Sequence, residues 1–497
     1  MTTSTGITSA ATDVDSISIE ADAPVVERSS MRWWLVAFVL VAIAVRIPAF
    51  FVSEFNSDET FIATQANVVL DGGQLYQQAA DRKPPIVPYL YATTFALTGS
   101  RELAPVRMLA ALCVGLTAVV LALEARRRWS TRAGVIAGAL FTLASVAFAP
   151  QDGQAANFEV FMLLPMTLGV VLAARRKFAS AGVAVAVATL TKQTGAATLL
   201  PVLFDARRNR GERSIMRVLL GFALPLLIAA AFFGVSDFVY WMLLGNGSYL
   251  SLGQSIWYAI AMFVVMTAAF AALNLPITVP LWRAWKTRLA ADADLWWWAA
   301  SALVSILVGL RFFGHYYLQL LPPLALLAGS ALAHMSRRVV IGAIALSATV
   351  AVTCTTLAFV AKPFNEPVTY ARAARYIEAK TGPNDRVLVW GAMPEIYWAS
   401  GRLPATRILN THFLDNVWAA SRAPGDTSAP PPSPQTWTLF LDDLRERPPR
   451  YIVDTSTNGA REAAVSPISK YPEFARVVAK QYRYETTVDG ITFYVRK

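Results

Sequence analysis

Long apolar stretches broken by short polar segments fill the chain up to about residue 360. A membrane-spanning helix needs about 20 mainly apolar residues, and on that rule the pattern predicts about eleven spans. They begin near Trp33, Leu103, Ala133, Phe158, Ala179, Ala196, Val218, Ile256, Leu295, Leu318 and Val339. Two short runs flank Thr191-Lys192-Gln193-Thr194-Gly195, and the same residues also fit one kinked helix, which would reverse the sidedness of everything after it.

Lys and Arg collect on the cytoplasmic side of membrane helices. The clusters Arg126-Arg127-Arg128, Arg175-Arg176-Lys177, Arg207-Arg208-Asn209-Arg210, Arg283 to Arg288 and Arg337-Arg338 all fall on one side of the eleven-run count if the N-terminus is cytoplasmic. Asp58, Glu59, Lys83, Asp152, Glu159, Lys192, Arg311 and His315 then fall on the other, outer side. Ionisable groups at membrane depth cost about 2.5–3.5 kcal/mol each and usually face a functional cavity. Chemistry is therefore expected at the outer surface.

The outer segment 53–102 holds two apolar stretches too short to span, Phe61 to Leu70 and Ile86 to Leu97, which suit helices lying along the membrane surface. Beyond residue 361 the periodicity becomes that of a soluble domain, with a proline-rich segment at Ala429 to Pro434. Arg386 to Trp390 and Tyr451 to Asp454 read as buried strands, Thr369 to Lys380 and Glu473 to Gln481 as helices, and Asp489-Gly490 as a hairpin turn. The expected architecture is a polytopic α-helical membrane protein: a disordered cytoplasmic tail over 1–31, a transmembrane region over 32–360, and a small extracytoplasmic α/β domain over 361–497.

Composition agrees: 55% of residues are hydrophobic and 15% charged, with mean hydropathy +0.44, against about 25% charged in soluble domains. The net charge of +11 sits in interhelical clusters rather than along one surface, so it marks topology and not nucleic-acid binding. Cys113 and Cys354 lie inside apolar runs as small hydrophobes. There is no Walker loop, dinucleotide-binding glycine fingerprint or zinc-ligand spacing.

Among the outer residues, a carboxylate in a partly desolvated cleft can serve as general base. Asp58 and Glu59 are adjacent, so one of them should face a reaction centre; Asp58 is the choice, although Ser57 and Asp58 are also favoured helix caps. Lys83, held by Pro84-Pro85 at a helix entrance, can meet a phosphate or snorkel to headgroups. Asp152 and Glu159 are seven residues apart and would share a helix face if that segment were continuous, with Asp58 nearby to position an acceptor or bind a divalent cation. Lys192, Arg311 and His315 are candidate phosphate ligands, His315 being also an ordinary interfacial aromatic beside Tyr316 and Tyr317. His334 and His412 have no partner pattern.

Together these residues resemble the GT-C membrane glycosyltransferases, in the protein O-mannosyltransferase-like and aminoarabinose-transferase-like branch. The matching features are Asp58-Glu59 in the first outer loop, Tyr76 and Lys83-Pro84-Pro85, Lys192-Gln193 between short helices, and His315-Tyr316-Tyr317 followed by Pro322-Pro323. The likeness covers about residues 30 to 360. It implies inverting transfer of a sugar from a polyprenyl phosphate to an extracytoplasmic glycan, lipid or protein. Asp58 would be the base, Lys83, Lys192 and His315 the ligands of the lipid phosphate, and Glu159 or Asp152 the second acid. Metal dependence varies in the family, so a divalent cation stays open. A lipid-linked sugar transporter is the alternative; an outer glycan sensor would not need so many helices.

Overall fold

The computed structural model describes residues 25–246, 256–361, 369–415, 434–458 and 467–497. Of the tail expected over 1–31, residues 1–24 lie outside the described residues and a helix already begins at Val25; the proline-rich residues 429–433 also lie outside the described residues.

The helices are α1 (Val25–Ala44), α2 (Ser57–Leu70), α3 (Ile86–Thr98), α4 (Leu103–Arg128), α5 (Thr131–Ala144), α6 (Pro150–Gln154), α7 (Phe158–Ala174) and α8 (Phe178–Thr191). There follow α9 (Leu199–Arg210), α10 (Glu212–Phe233), α11 (Val235–Met242), α12 (Ile256–Leu273), α13 (Leu275–Arg288), α14 (Ala293–Leu307), α15 (Leu321–Leu332) and α16 (Arg337–Val360). Among the described residues, α4, α10, α12 and α16 are long and apolar enough to cross a membrane on length and composition alone. Shorter apolar helices pack around them.

Each expected run begins on a helix or on the 3-10 turns Gln193–Thr198 and Gly314–Leu320 that lead into α9 and α15. Helix α13 was not anticipated, because Arg283, Lys286 and Arg288 break its apolar pattern. It forms anyway: Pro276 lies in its first turn, where a missing N–H costs nothing. The kinked-helix alternative around Lys192 fails on its backbone, which is extended (φ −151°, ψ 137°) and ends α8.

Small residues set the packing of α8 on α10. A Cβ on Gly182 would come within 2.1 Å of the Val218 carbonyl, and one on Gly221 within 2.2 Å of the Ala179 carbonyl, so only glycine permits these backbones to touch. The two ends of α7 carry different chemistry. Its 17 residues span about 25 Å, with Glu159 in the first turn and Arg175 just past the last. Arg175 approaches the buried Glu124 at 3.8 Å, Glu124 also holds Arg127 and Arg128, and Arg128 reaches Asp294 on α14 at 2.6 Å. The basic clusters are thereby anchored at the end away from Glu159.

The last described stretch builds a five-stranded sheet in the order β2-β1-β3-β5-β4. Its strands are β1 (Arg386–Trp390), β2 (Leu403–Pro404), β3 (Tyr451–Asp454), β4 (Tyr482–Val488) and β5 (Ile491–Arg496). β1 runs parallel to β2 and β3, while β5 is antiparallel to β3 and β4. Left-handed Asp489 and Gly490 (φ 50° and 77°) close the β4–β5 hairpin at the turn read from sequence.

The apolar core of this unit does not stop at its own edge. Val387, Trp390 and Ile452 belong to one buried cluster with Phe61, Leu75, Tyr76, Leu190, Phe233 and Trp241. Polar contacts reinforce the seam: Tyr370 donates to Glu54 at 2.7 Å, the Ala80 N–H to the Arg407 carbonyl at 2.8 Å, and the Trp398 indole to the Arg101 carbonyl at 2.9 Å.

Candidate active site

Asn56 is the N-cap of α2: its side chain accepts the Asp58 N–H at 3.0 Å. Capping therefore falls to neither Ser57 nor Asp58, and the Asp58 carboxylate is left for other work. One residue on, and about 100° round the helix, Glu59 turns inward and is fully buried. Arg107 of α4 grips both its oxygens, at 2.8 and 2.6 Å, and the Ala156 N–H adds a third bond at 2.8 Å. Arg107 also donates to the carbonyls of Ala49 and Val52. The adjacent acids thus split, with Glu59 tying the loop to the bundle and Asp58 at the surface.

Asp58 pairs with Lys83, Oδ2 to Nζ, at 3.0 Å, with about a third of each side chain exposed (35% and 32%). The loop that brings Lys83 here is closed by the Tyr76 N–H to the Ala79 carbonyl at 2.8 Å. The Tyr76 hydroxyl donates to the Lys83 carbonyl at 2.9 Å, and Gln193 to the Arg82 carbonyl at 2.6 Å. Tyr76 is buried and holds φ 73°, a conformation costly for a bulky residue. The Lys83 ammonium also lies 4.6 Å from the centre of the Phe158 ring. Burial works against charge on both partners, but their neighbours outweigh it. Asp58 is held below the usual carboxylate range by Lys83, His315 and Lys192, and Lys83 is raised by Asp58 and Asp81.

A second group adjoins the first. Lys192 pairs with Glu159 and stands 4.1 Å from the centre of the Tyr316 ring. His315 Nδ1 meets Asp152 at 2.7 Å, and its Nε2 lies 3.5 Å from Glu159. Burial opposes a charged ring, yet the carboxylates of Glu159 and Asp152 raise His315 above its ordinary value. Gly314 makes this approach possible, since a Cβ there would lie 2.5 Å from Asp152 Oδ2.

Asp152 and Glu159 do not share a helix face as continuous helix would place them. Ala155 is extended (ψ 147°) and separates α6 from α7, and the two acids meet through His315 instead. Asp152 is committed to His315 and Glu159 to Lys192, and among the described residues no group of three His, Cys, Asp or Glu side chains could hold a metal ion. The residues fit a divalent cation poorly. His315, turned to two carboxylates, does not present a ring nitrogen to a phosphate in this arrangement. Arg311 is half-buried in a turn between Leu310 and Phe312, both left-handed at φ 53° and 50°. His334 is exposed and His412 buried beside Phe413.

Two residues escaped the sequence reading. Arg107 sits in the apolar run of α4, and that isolation was its signal. Asp81, two residues before Lys83, had no signal apart from the loop that carries it.

The fold has known counterparts. ArnT from Cupriavidus metallidurans, in the apo state, superimposes with a TM-score of 0.64 at 16% identity, over 94% of this chain and 98% of that one. The chain has the GT-C fold. The same ArnT bound to undecaprenyl phosphate gives 0.61 at 16% identity, over 93% and 98%. The archaeal oligosaccharyltransferase AglB from Archaeoglobus fulgidus, in complex with an inhibitory peptide and a dolichol-phosphate, gives 0.53 at 12% identity, over 95% and 75%. The family described as dolichyl-phosphate-mannose-protein mannosyltransferase matches residues 82–241, a stretch that begins at Arg82 and takes in Lys83, Asp152, Glu159 and Lys192. No curated protein matches the chain. The resemblance read from the motifs is thus a GT-C likeness of the ArnT and protein-mannosyltransferase type.

Proposed function

We propose that the protein is an inverting glycosyltransferase that moves a sugar from a polyprenyl-phosphate donor to a cell-envelope glycan, lipid or protein outside the cytoplasm. The observation that carries this reading is the partly exposed Asp58–Lys83 pair, a base and a phosphate-binding cation side by side in a chain with the GT-C fold. Asp58 takes the proton of an acceptor hydroxyl. The hydroxyl oxygen then bonds to the anomeric carbon from the face opposite the phosphate, and the bond from that carbon to the phosphate oxygen breaks. Polyprenyl phosphate leaves with the electron pair, held by Lys83 and Lys192. Glu59 belongs to the scaffold and not to the chemistry, while His315 fixes Asp152 and Glu159 around Lys192. The sidedness is supported by the separation along α7: basic clusters at one end, as at a cytoplasmic face, and the site at the other.

The direct test supplies the purified protein with undecaprenyl-phosphate mannose, galactose or arabinose and an envelope extract. Release of free undecaprenyl phosphate with at least one donor is expected. Transfer of intact donor between leaflets of a vesicle, with no cleavage, would instead make the protein a transporter.

Removal of the Tyr76 hydroxyl should loosen Lys83 without touching it. The Tyr76→Phe variant is expected to lose about 1 kcal/mol of stability and to bind sugar-free undecaprenyl phosphate roughly fivefold more weakly, as read by thermal unfolding and by titration. Unaltered affinity would show that Lys83 needs no such support.

A further inference from the structure

Asp81 is 5% exposed, and only one of its oxygens is occupied. Oδ1 accepts the Arg82 N–H at 2.7 Å, and Oδ2 is buried without a hydrogen-bond partner. A buried carboxylate oxygen left open is costly and rare. Burial pushes this acid up to about 6, with Lys83 pulling it down and Asp58 adding to the rise. Asp81 is thus within electrostatic reach of both members of the catalytic pair, and it acts on Lys83 as a second anion after Asp58.

The proposed reaction creates a need for such an anion, and this inference rests on that reading. When Asp58 accepts the acceptor's proton it becomes neutral, and its attraction for the Lys83 ammonium disappears at the moment the phosphate takes on charge. A lysine has three N–H donors; Asp58 and the Phe158 ring face this one. A cation tied to Asp58 also weakens it as a base, because it stabilises the ionised form. We propose that Asp81 is the alternate seat of Lys83: as Asp58 takes up the proton, the ammonium turns from Asp58 to the open Oδ2 of Asp81 while keeping hold of the donor phosphate. Asp81 is then a positioning residue, acting through Lys83 and not touching the substrate. Its buried location suits that role, since the incoming group is a neighbouring side chain of the same loop and not a ligand arriving from outside. It explains the empty oxygen as a place held for the second half of the reaction.

The test uses the full-length protein with Asp81→Asn, which keeps an oxygen for the Arg82 N–H but removes the charge, and Asp81→Glu, which restores it. Turnover is measured with whichever undecaprenyl-phosphate sugar the wild type cleaves, and binding with sugar-free undecaprenyl phosphate. Asp81→Asn should lower kcat about 10- to 100-fold with donor KM and lipid-phosphate affinity nearly unchanged, and Asp81→Glu should recover most of the loss. A folded Asp81→Asn with normal kcat overturns the proposal. So does a variant whose kcat and thermal midpoint fall together without rescue by glutamate, which would make Asp81 a structural cap. If Asp81→Asn does not fold, Asp81→Ser, which also offers an oxygen to Arg82, replaces it; failure of both to fold likewise assigns a structural role. Wild-type protein that cleaves none of the three donors defeats the transferase reading itself, and that result is read before any variant is made.

Discussion

Asp58→Asn is expected to abolish sugar transfer, with a loss of about 10²–10⁴-fold in kcat, the usual contribution of a positioned base. The fold should survive, because the α2 cap belongs to Asn56 and, among the described residues, the Asp58 carboxylate bonds to the partly exposed Lys83 alone. Sugar-free undecaprenyl phosphate should still bind, and more tightly than to wild type, since the variant no longer competes for the lysine. The pH dependence follows from the direction of the shift. Asp58 is held below the ordinary carboxylate range by Lys83, His315 and Lys192, so the active, ionised form persists as pH falls and the acid limb of the rate lies below that of an ordinary aspartate base. Undiminished turnover in the variant, or an acid limb near neutrality in the wild type, would remove Asp58 from the role of base.

Glu59→Gln should give the opposite phenotype. This substitution takes from the 3% exposed Arg107 guanidinium the carboxylate it pairs with, and breaking a buried pair in this way costs about 3–5 kcal/mol. A large fall in the thermal midpoint in detergent is expected, with the surviving folded fraction keeping its turnover per molecule. A variant as stable as wild type but inactive would return Glu59 to the chemistry. Two neighbouring acids, one lost in rate and the other in stability, make the clearest paired comparison this site offers.

The helical course of the chain was legible because lipid imposes a length and a polarity that sequence displays directly. Asp58, Lys83, Lys192, Glu159 and His315 were legible as charges with no reason to be where they are. What they bond to was not. The choice of Asn56 as cap depends on one backbone dihedral, and the meeting of Asp152 with His315 spans 163 positions of sequence. The condition for Asp152 and Glu159 to share a helix face, a continuous helix, is not met because Ala155 and Asn157 are extended, which apolar periodicity does not report. Arg107 was hidden by the apolar run around it, and Asp81 by its brighter neighbour Lys83. In the α/β unit β1, β3 and the Asp489-Gly490 hairpin coincide with the segments read from sequence while the two-residue β2 was missed, and the union of this unit with the loop between α1 and α4 depends on pairs such as Phe61 and Phe413, stacked at 6.3 Å, that no local pattern foreshadows.

That union has a consequence for how the molecule is made. Phe61, Tyr76 and Trp241 leave the ribosome long before Val387, Trp390 and Ile452, members of the same buried cluster. The loop bearing Asp58 and Lys83 must wait, with its apolar side incompletely covered, until the sheet-bearing unit has been made. Contacts so distant in sequence form late. A chain cut short after α16 would therefore be born with this loop unfinished, and the competence of the candidate site is decided by a unit synthesised well after it.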